Sequence, residues 1–449
     1  MRKGFIFDLN KCVGCEACVV ACQIENHETQ RASWRSITTF NSFQHPGLSL
    51  FYFSLACNHC DDPLCMNGCP ANAFSIDPLY HTVDYDEDLC IGCRYCTWTC
   101  PYDAPKYVTA RGTIEKCTLC KERIIGGKKP NCANLCPTGA LDFGDIENRV
   151  AIDIPGFIDK GIWPSIRVVP LRKKEGPTSA TRQLTENESA LFQETQFRGE
   201  RKTSLRSEWP LILFTLLAAL LFADAAAKLF EVQVLPPLAF MALAIAGLVV
   251  STAHLGRPGS AWRALLNIRS SWLSREIVAY TIFIGLSGYS LLLPTSGLLA
   301  IPCILLGLAT LVSIDMVYAT VERRYVPIEK SGSVALTGIL FFAVLAHILL
   351  LSIPILIGSG AIYIRGALKT KRRSLLSLFA SGVRIAVGFV LPLLLLCVHA
   401  NLWLVAMFVL IGESINRVEF YLDLDVATPR RQIEKELLKE LAVPVRGQS

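Results

Sequence analysis

Residues 12–22 read CVGCEACVVAC and residues 90–101 read CIGCRYCTWTCP, the same C-x2-C-x2-C-x3-C spacing used twice. Two looser groups accompany them: Cys57, Cys60, Cys65 and Cys69 before Pro70, and Cys117, Cys120, Cys132 and Cys136 before Pro137. Three thiolates two residues apart wrap one face of a metal–sulfide cube, while the fourth, beyond a short turn, points away from it. Sixteen such thiols, taken four at a time, predict four [4Fe–4S] clusters with no ligand to spare. Four-thiolate zinc is the competing use of paired C-x2-C elements. Zinc needs two pairs per ion and has no use for the third cysteine at the same spacing, which Cys18 and Cys96 supply. Gly14 and Gly92, inside the first turn of each repeat, suit tight wrapping of backbone around sulfide.

The run of groups one and three is the bacterial ferredoxin run, whose fourth cysteine ligates the other cluster of a pair. Its duplication predicts two ferredoxin-like modules, one interrupting the other. Gly4–Leu9 and His81–Tyr85 read as small strands beside the cluster loops. Metal more than apolar bulk dictates such an architecture.

Composition divides the 449 residues into two bodies. Sixteen of the 18 cysteines precede Val150, and residues 1–150 carry a net charge of −3 against +9 for the remainder. The long apolar runs all follow Arg206, and mean hydropathy over the whole chain is +0.40. With the excess positive charge on the apolar half, nucleic acid is not an expected partner. Met1–Asn10 has no basic-then-apolar leader pattern, so a cleaved signal peptide and a disulfide framework are not expected.

Seven apolar segments of spanning length follow: Trp209–Phe230, Leu235–His254, Glu276–Leu293, Gly297–Tyr318, Val334–Ile364, Leu375–Val398 and Leu402–Tyr421. The fifth, at 31 residues, reads either as one tilted helix with a tail or as a cramped pair. Basic loops at 257–275 and around Arg323, Arg324 and Lys330 fall on the side of the basic 171–208 join, the side expected to be cytoplasmic. The basic 365–373 loop joins them only if the fifth segment crosses twice, so seven or eight helices are expected.

The four cysteine stretches, CVGCEACVVACQIEN, CNHCDDPLCMNGCP, CIGCRYCTWTCPYDAPKY and KCTLCKERI with CANLCPTGAL, resemble the four-cluster electron-transfer subunit of dimethyl sulfoxide reductase-type complexes over about residues 4–145. That resemblance implies crossed ligation. Cys12, Cys15 and Cys18 would share a cluster with Cys136, and Cys22 one with Cys117, Cys120 and Cys132. Cys57, Cys60 and Cys65 would join Cys100, and Cys69 would join Cys90, Cys93 and Cys96. Residues 207–422 resemble the haem-free, quinol-oxidising anchor of the same complexes, through STAHLGRP, SWLSREI and IGESINRVEFY. The resemblance places His254 and Glu276 in a menaquinol site and implies a molybdopterin-containing catalytic subunit as partner.

The chemistry of the residues is compatible with that assignment. Quinol oxidation releases two protons, which a histidine and a carboxylate can accept. Folding of the 257–275 loop back on itself would bring the two together, and Arg257 either meets a quinone oxygen or a lipid phosphate. Glu413 is a further candidate for the quinol site. Against these stands a plain reading, that His254 and Glu276 are interfacial anchors and that Glu413 pairs with Arg417, as Asp224 does with Lys228. Asp315 has no evident partner in the sequence; Cys303 and Cys397 read as small core residues. Haem is not expected, because His254 ends a segment whereas His347 lies 13 residues inside its own, about 20 Å of helical rise.

The expected architecture is an α+β duplicated ferredoxin-like domain at 1–170, a polar basic linker at 171–208, an all-α membrane bundle at 209–422 and a polar C-terminal tail at 423–449. The expected role is that of a non-catalytic redox subunit in the inner (cytoplasmic) membrane, with its cluster domain in the cytoplasm, passing electrons from menaquinol through four clusters in anaerobic respiration. The alternatives are reverse flow from a formate-, hydrogen- or sulfur-compound-oxidising partner into the quinone pool, and a zinc-bearing membrane scaffold.

Overall fold

The computed structural model describes residues 2–26, 33–42, 49–147, 154, 157, 161–172, 204–232, 234–292, 299–322, 333–369, 375–424, 426 and 428–442. The basic linker expected at 171–208 lies mostly outside the described residues, as do Arg323, Arg324 and Lys330. The protein forms two compact units, Met1–Lys202 with Val426–Ser449, and Thr203–Asp425.

In the first unit, β1 (Arg2–Asp8) is the middle strand of a three-stranded sheet. It pairs antiparallel with β8 (Leu141–Ile146), Phe5 opposite Phe143, and parallel with β9 (Ile166–Val169). Three two-stranded ribbons accompany it: β2 (Ser36–Phe40) with β3 (Phe51–Leu55), β4 (Phe74–Ile76) with β5 (Val83–Tyr85), and β6 (Lys106–Val108) with β7 (Thr113–Glu115). Both strands read from sequence are present, although His81 itself turns the backbone at φ 53° and the second strand begins only at Val83. Aromatic side chains fill the space that so little sheet leaves: Phe7 meets Phe53, and Phe157 packs on both Phe53 and Tyr102.

Five short helices follow the cysteine loops: α1 (Ala17–Glu25), α2 (Leu64–Asn67), α3 (Tyr95–Thr99), α4 (Lys121–Ile125) and α5 (Asn131–Asn134). The C-terminal residues are more than a tail. Pro429–Ala442 form a helix beside β2, and its Ile433 and Leu437, each 2% exposed, enter the aromatic core of the first unit.

The second unit is helical: α6 (Leu205–Ala227), α7 (Pro237–Thr252), α8 (Trp272–Leu292), α9 (Ala300–Glu322), α10 (Val334–Leu345), α11 (Leu349–Lys369), α12 (Leu375–Val383), α13 (Leu391–Cys397) and α14 (Leu402–Asp423), with the C-terminal helix of the first unit as α15. A π-helical stretch, Arg384–Val390, joins α12 to α13. Ser204 caps α6 by accepting from the Ser207 N–H at 3.2 Å. Among the described residues four helices are long and apolar enough to cross a membrane, Leu205–Phe230, Ala300–Val321, Leu349–Ala367 and Leu378–Cys397; Pro237–Thr252 and Val334–Leu345 are apolar but shorter.

The fifth predicted segment is a pair of helices, because His347 adopts φ 60° and ends α10. The Ile348 N–H reaches back to the Ala343 carbonyl at 2.9 Å, the bond that closes a helix around a left-handed residue. His347 is therefore a helix cap, exposed, rather than a residue deep inside a helix. His399, at φ 52°, ends α13 in the same way.

Candidate iron–sulfur centres and a buried polar site

The two C-x2-C-x2-C loops share one backbone conformation. Gly14 and Gly92 stand at φ 71° and 70°, and two residues on Glu16 and Arg94 both stand at φ 60°. Alternation of this kind turns successive N–H groups inward, the geometry that cradles an anion such as a thiolate-ligated sulfide core. A Cβ at Gly14 would stand 2.7 Å from the Tyr52 ring, so the loop also closes against a side chain that only glycine admits. The thiols themselves accept backbone N–H groups: Gly92 to Cys90 at 3.3 Å, Leu119 to Cys117 at 3.3 Å, Ala73 to Cys69 at 3.4 Å and Leu141 to Cys136 at 3.4 Å.

Distant cysteines come together. Cys12 has Cys18, Cys136 and Cys15 as its charged neighbours. Cys60 has Cys57, Cys100 and Cys65, and Cys96 has Cys93, Cys69 and Cys90. Cys120 faces Cys132, and Arg35 lies among Cys132, Cys117, Cys18 and Cys22. Between groups, Cys18 neighbours Cys132, Cys117 neighbours Cys57, and Cys96 neighbours Cys65. These three junctions put the groups in a row.

Burial, with the neighbouring thiols adding to it, pushes Cys117 and Cys93 up to about 12 and Cys60 well above the ordinary thiol range. Packed thiolates of one sign are stable only around a cationic centre, which is what an iron–sulfide core provides. Cys136 differs: burial would raise it, but N–H donation from Leu141 and the Thr138 hydroxyl outweighs this and lowers it. The donor set and its burial fit clusters.

In the helical unit, Glu276 lies in the second turn of α8, 7% exposed, and among the described residues makes no hydrogen bond or ion pair. His254 is half-buried just beyond α7, and no hydrogen bond or ion pair joins it to Glu276. Arg257 is half-buried too, at the head of the 3-10 turn Pro258–Leu265. Tyr318 of α9 and Tyr421 of α14 share a hydroxyl hydrogen bond within electrostatic reach of Glu276, and Glu208, in the first turn of α6, acts on Tyr421.

Glu413 belongs to a buried network that reaches the tyrosine pair through Arg417. It accepts from Thr337 at 2.8 Å and Asn416 at 2.9 Å, and stands 3.8 Å from Arg384, which also approaches Glu419 at 3.8 Å. Arg417 donates to Thr337 at 3.3 Å. Arg384 stacks 3.8 Å over Tyr363, whose hydroxyl donates to Glu419. Asp315 ties α9 to the start of α10, accepting the Ser333 hydroxyl at 2.6 Å and the Val334 N–H at 2.7 Å. Asp224 and Lys228 do not pair. Asp224 accepts the N–H groups of Val234 and Leu235, and Lys228 reaches Ser290 on α8.

Sequence reasoning missed Arg384, Glu419, Tyr318, Tyr421, Glu208 and Arg35. For Arg384 the signal existed, since a lone arginine inside an apolar segment must find a buried partner; for the tyrosines none did.

Thiol groups in a row, followed by apolar helices, define a class: a multi-cluster, ferredoxin-type electron-transfer protein that carries its own membrane anchor. Comparison with known proteins agrees. Residues 48–146 match the family described as 4Fe-4S dicluster domain, and residues 205–345 the one described as DMSO reductase anchor subunit (DmsC). The B subunit of anaerobic dimethyl sulfoxide reductase from Escherichia coli K12 is 41% identical over 152 residues, 32% of this sequence and 74% of that protein. The hydrogenase-2 operon protein HybA of Escherichia coli O157:H7 is 36% identical over 175 residues (33% and 53%), and the formate dehydrogenase-O iron–sulfur subunit of Escherichia coli K12 33% over 159 (32% and 53%).

This protein belongs to the family of dimethyl sulfoxide reductase B-subunit iron–sulfur proteins, here fused to an anchor of the DMSO reductase type. It transfers electrons through iron–sulfur clusters, is a membrane protein and works with a catalytic partner; the zinc-scaffold alternative falls.

Proposed function

We propose that the protein oxidises menaquinol at Glu276 and His254 and passes the electrons through four [4Fe–4S] clusters to a molybdopterin-containing catalytic subunit. The ligand sets proposed are Cys12, Cys15, Cys18 with Cys136; Cys22 with Cys117, Cys120 and Cys132; Cys57, Cys60, Cys65 with Cys100; and Cys69 with Cys90, Cys93 and Cys96. Bound clusters supply one-electron carriage; the protein's part is to hold them in a row and to handle the protons. The molybdopterin partner is inferred from the likeness to the B subunit of dimethyl sulfoxide reductase.

One observation carries the quinol reading. Glu276 is a carboxyl buried in an apolar helix with no hydrogen bond or ion pair among the described residues, a costly arrangement unless a ligand meets it. It is the proton acceptor in this proposal, with His254 the second. The hydroxyls of Tyr318 and Tyr421 and the carboxyl of Glu208 then offer a path toward the membrane face where α6 begins.

The same reading includes a topology. The stretches before Thr203 and after Asp425 belong to one compact unit, which supports an even number of crossings for the segment between them. Eight crossings satisfy this, with α10 and α11 as two of them and α12, the π-stretch and α13 as one. They also put the basic residues around 365–373 on the face of the other basic loops, proposed to be cytoplasmic.

The test is Glu276→Gln and His254→Ala in the complete complex, assayed for menaquinol-analogue oxidation beside iron content and dithionite-reduced EPR. The expected result is a loss of roughly 10²–10⁴-fold in quinol oxidation, with iron and EPR unchanged. Wild-type turnover in both variants overturns the assignment.

A further inference from the structure

Two cations are buried among the thiols, one at each of the first two junctions in the row. Arg35 is 1% exposed. Its Nη1 donates to Ser54 Oγ at 3.0 Å and lies 3.4 Å from the Ser54 carbonyl; Ser54 Oγ is itself 3.3 Å from Cys18 Sγ. The guanidinium stacks 4.6 Å from the Phe5 ring centroid, which fixes its plane. Its charged neighbours, Cys132, Cys117, Cys18 and Cys22, come from two different quartets. Lys116 is 4% exposed, donates to the Cys117 carbonyl at 2.9 Å and to the Val83 carbonyl, and acts on Cys65 of the next quartet. Among the described residues neither cation makes a surface ion pair, and the likeness to known families assigns neither a role.

We propose that Arg35 raises together the reduction potentials of the two clusters held by the Cys12 and Cys22 quartets, and that Lys116 does the same across the next junction, between the Cys22 and Cys57 quartets. The inference rests on the ligand sets proposed above. Gaining an electron makes a thiolate-bound cluster more negative, so a fixed positive charge nearby favours the reduced form and raises the potential. Buried charges are screened little by water or salt, so the effect reaches both neighbours of a shared cation. A cation placed between two clusters moves both in the same direction. The gap between them stays small and electrons pass at that junction without a step that traps them on one side.

The experiment is an EPR-monitored redox titration of the full-length protein, with iron and acid-labile sulfide counted on the same samples. Signals are assigned with Cys12→Ser, Cys22→Ser and Cys57→Ser. Arg35→Gln keeps a donor for Ser54 but removes the charge; Arg35→Lys keeps the charge. Expected is a downward shift in the midpoints of the Cys12 and Cys22 clusters in Arg35→Gln, most of it recovered in Arg35→Lys, with the Cys57 and Cys69 clusters unmoved. Lys116→Met should instead lower the Cys22 and Cys57 clusters. Unchanged midpoints in both Arg35→Gln and Lys116→Met at full iron content, or an equal shift of all four clusters, overturns the proposal. An iron count in the wild type well short of about 16 would instead fail the ligand sets, whatever the Arg35 variants do.

Discussion

Gly388 and Gly412 meet backbone to backbone: a Cβ added to Gly388 would lie 2.8 Å from the Cα of Gly412. The contact brings the π-helical stretch against α14, and it sets Arg384 beside Glu413 at 3.8 Å. Small residues allow this approach where lipid gives helices no hydrophobic reason to associate, and a π-stretch re-aims side chains within an otherwise regular helix. Alanine at either glycine should force the helices apart, at a cost of about 1–3 kcal/mol for overpacking. The expected outcome for Gly412→Ala is a lower thermal midpoint in detergent with iron content intact; an unchanged midpoint would refute the close approach.

Crossed ligation makes a prediction that spacing by itself does not. Cys12 and Cys136 are 124 positions apart in the sequence yet are charged neighbours. Cys12→Ser and Cys136→Ser should therefore abolish the same EPR signal and each lower iron by about four atoms, whereas Cys22→Ser should abolish a different one. Two distinct signals lost from Cys12→Ser and Cys136→Ser would contradict the pairing.

Parity of the membrane crossings is open to reporter fusions. Fusions after Lys369 and after Ala442 should report the same side, and a fusion after His399 the opposite one. With seven crossings the ends of the anchor would fall on opposite sides, so a fusion after Ala442 reporting the side opposite to the cluster domain would exclude eight.

The C-terminal helix should stabilise the cluster domain. Leu437 is 2% exposed in the aromatic core, so Leu437→Ala should cost about 2–5 kcal/mol. The measurement is loss of cluster absorbance in denaturant: the midpoint should fall in Leu437→Ala, and fall further on truncation after residue 425. Equal midpoints would mean that the helix contributes nothing.

A pH effect follows from Asp77. A hydrogen bond from Lys121, at 2.8 Å, followed by backbone N–H groups of Tyr80 and Leu79, holds its carboxyl at about 2. The folded value is below the unfolded value of about 3.9, so the contribution is complete above about pH 5 and is lost as pH falls toward about 2. Asp77→Asn should lower the thermal midpoint at pH 7, and the difference from wild type, followed by far-UV circular dichroism, should close over that window. A difference that persists at pH 2 would exclude the ionised Asp77–Lys121 pair as its source.

What was legible in the sequence was whatever a short covalent spacing enforces. C-x2-C-x2-C repeats one loop conformation wherever it occurs, so the two matching cysteine loops and the short strands beside them could be read directly. Apolar runs likewise announced the helical unit, because a helix in lipid must satisfy its own backbone and cover itself with apolar side chains. What only the tertiary structure decided were relations between residues far apart in the sequence or set by one backbone angle. His347 at φ 60° divides a continuous apolar run into two helices, and periodicity carries no signal for a single left-handed residue. Arg384 finds Glu413 and Glu419 on another helix, Arg35 comes to lie between thiols from distant loops, and the last helix returns to the first domain. Each depends on which surfaces pack together, and packing is settled by the whole folded protein at once rather than by any window of its sequence.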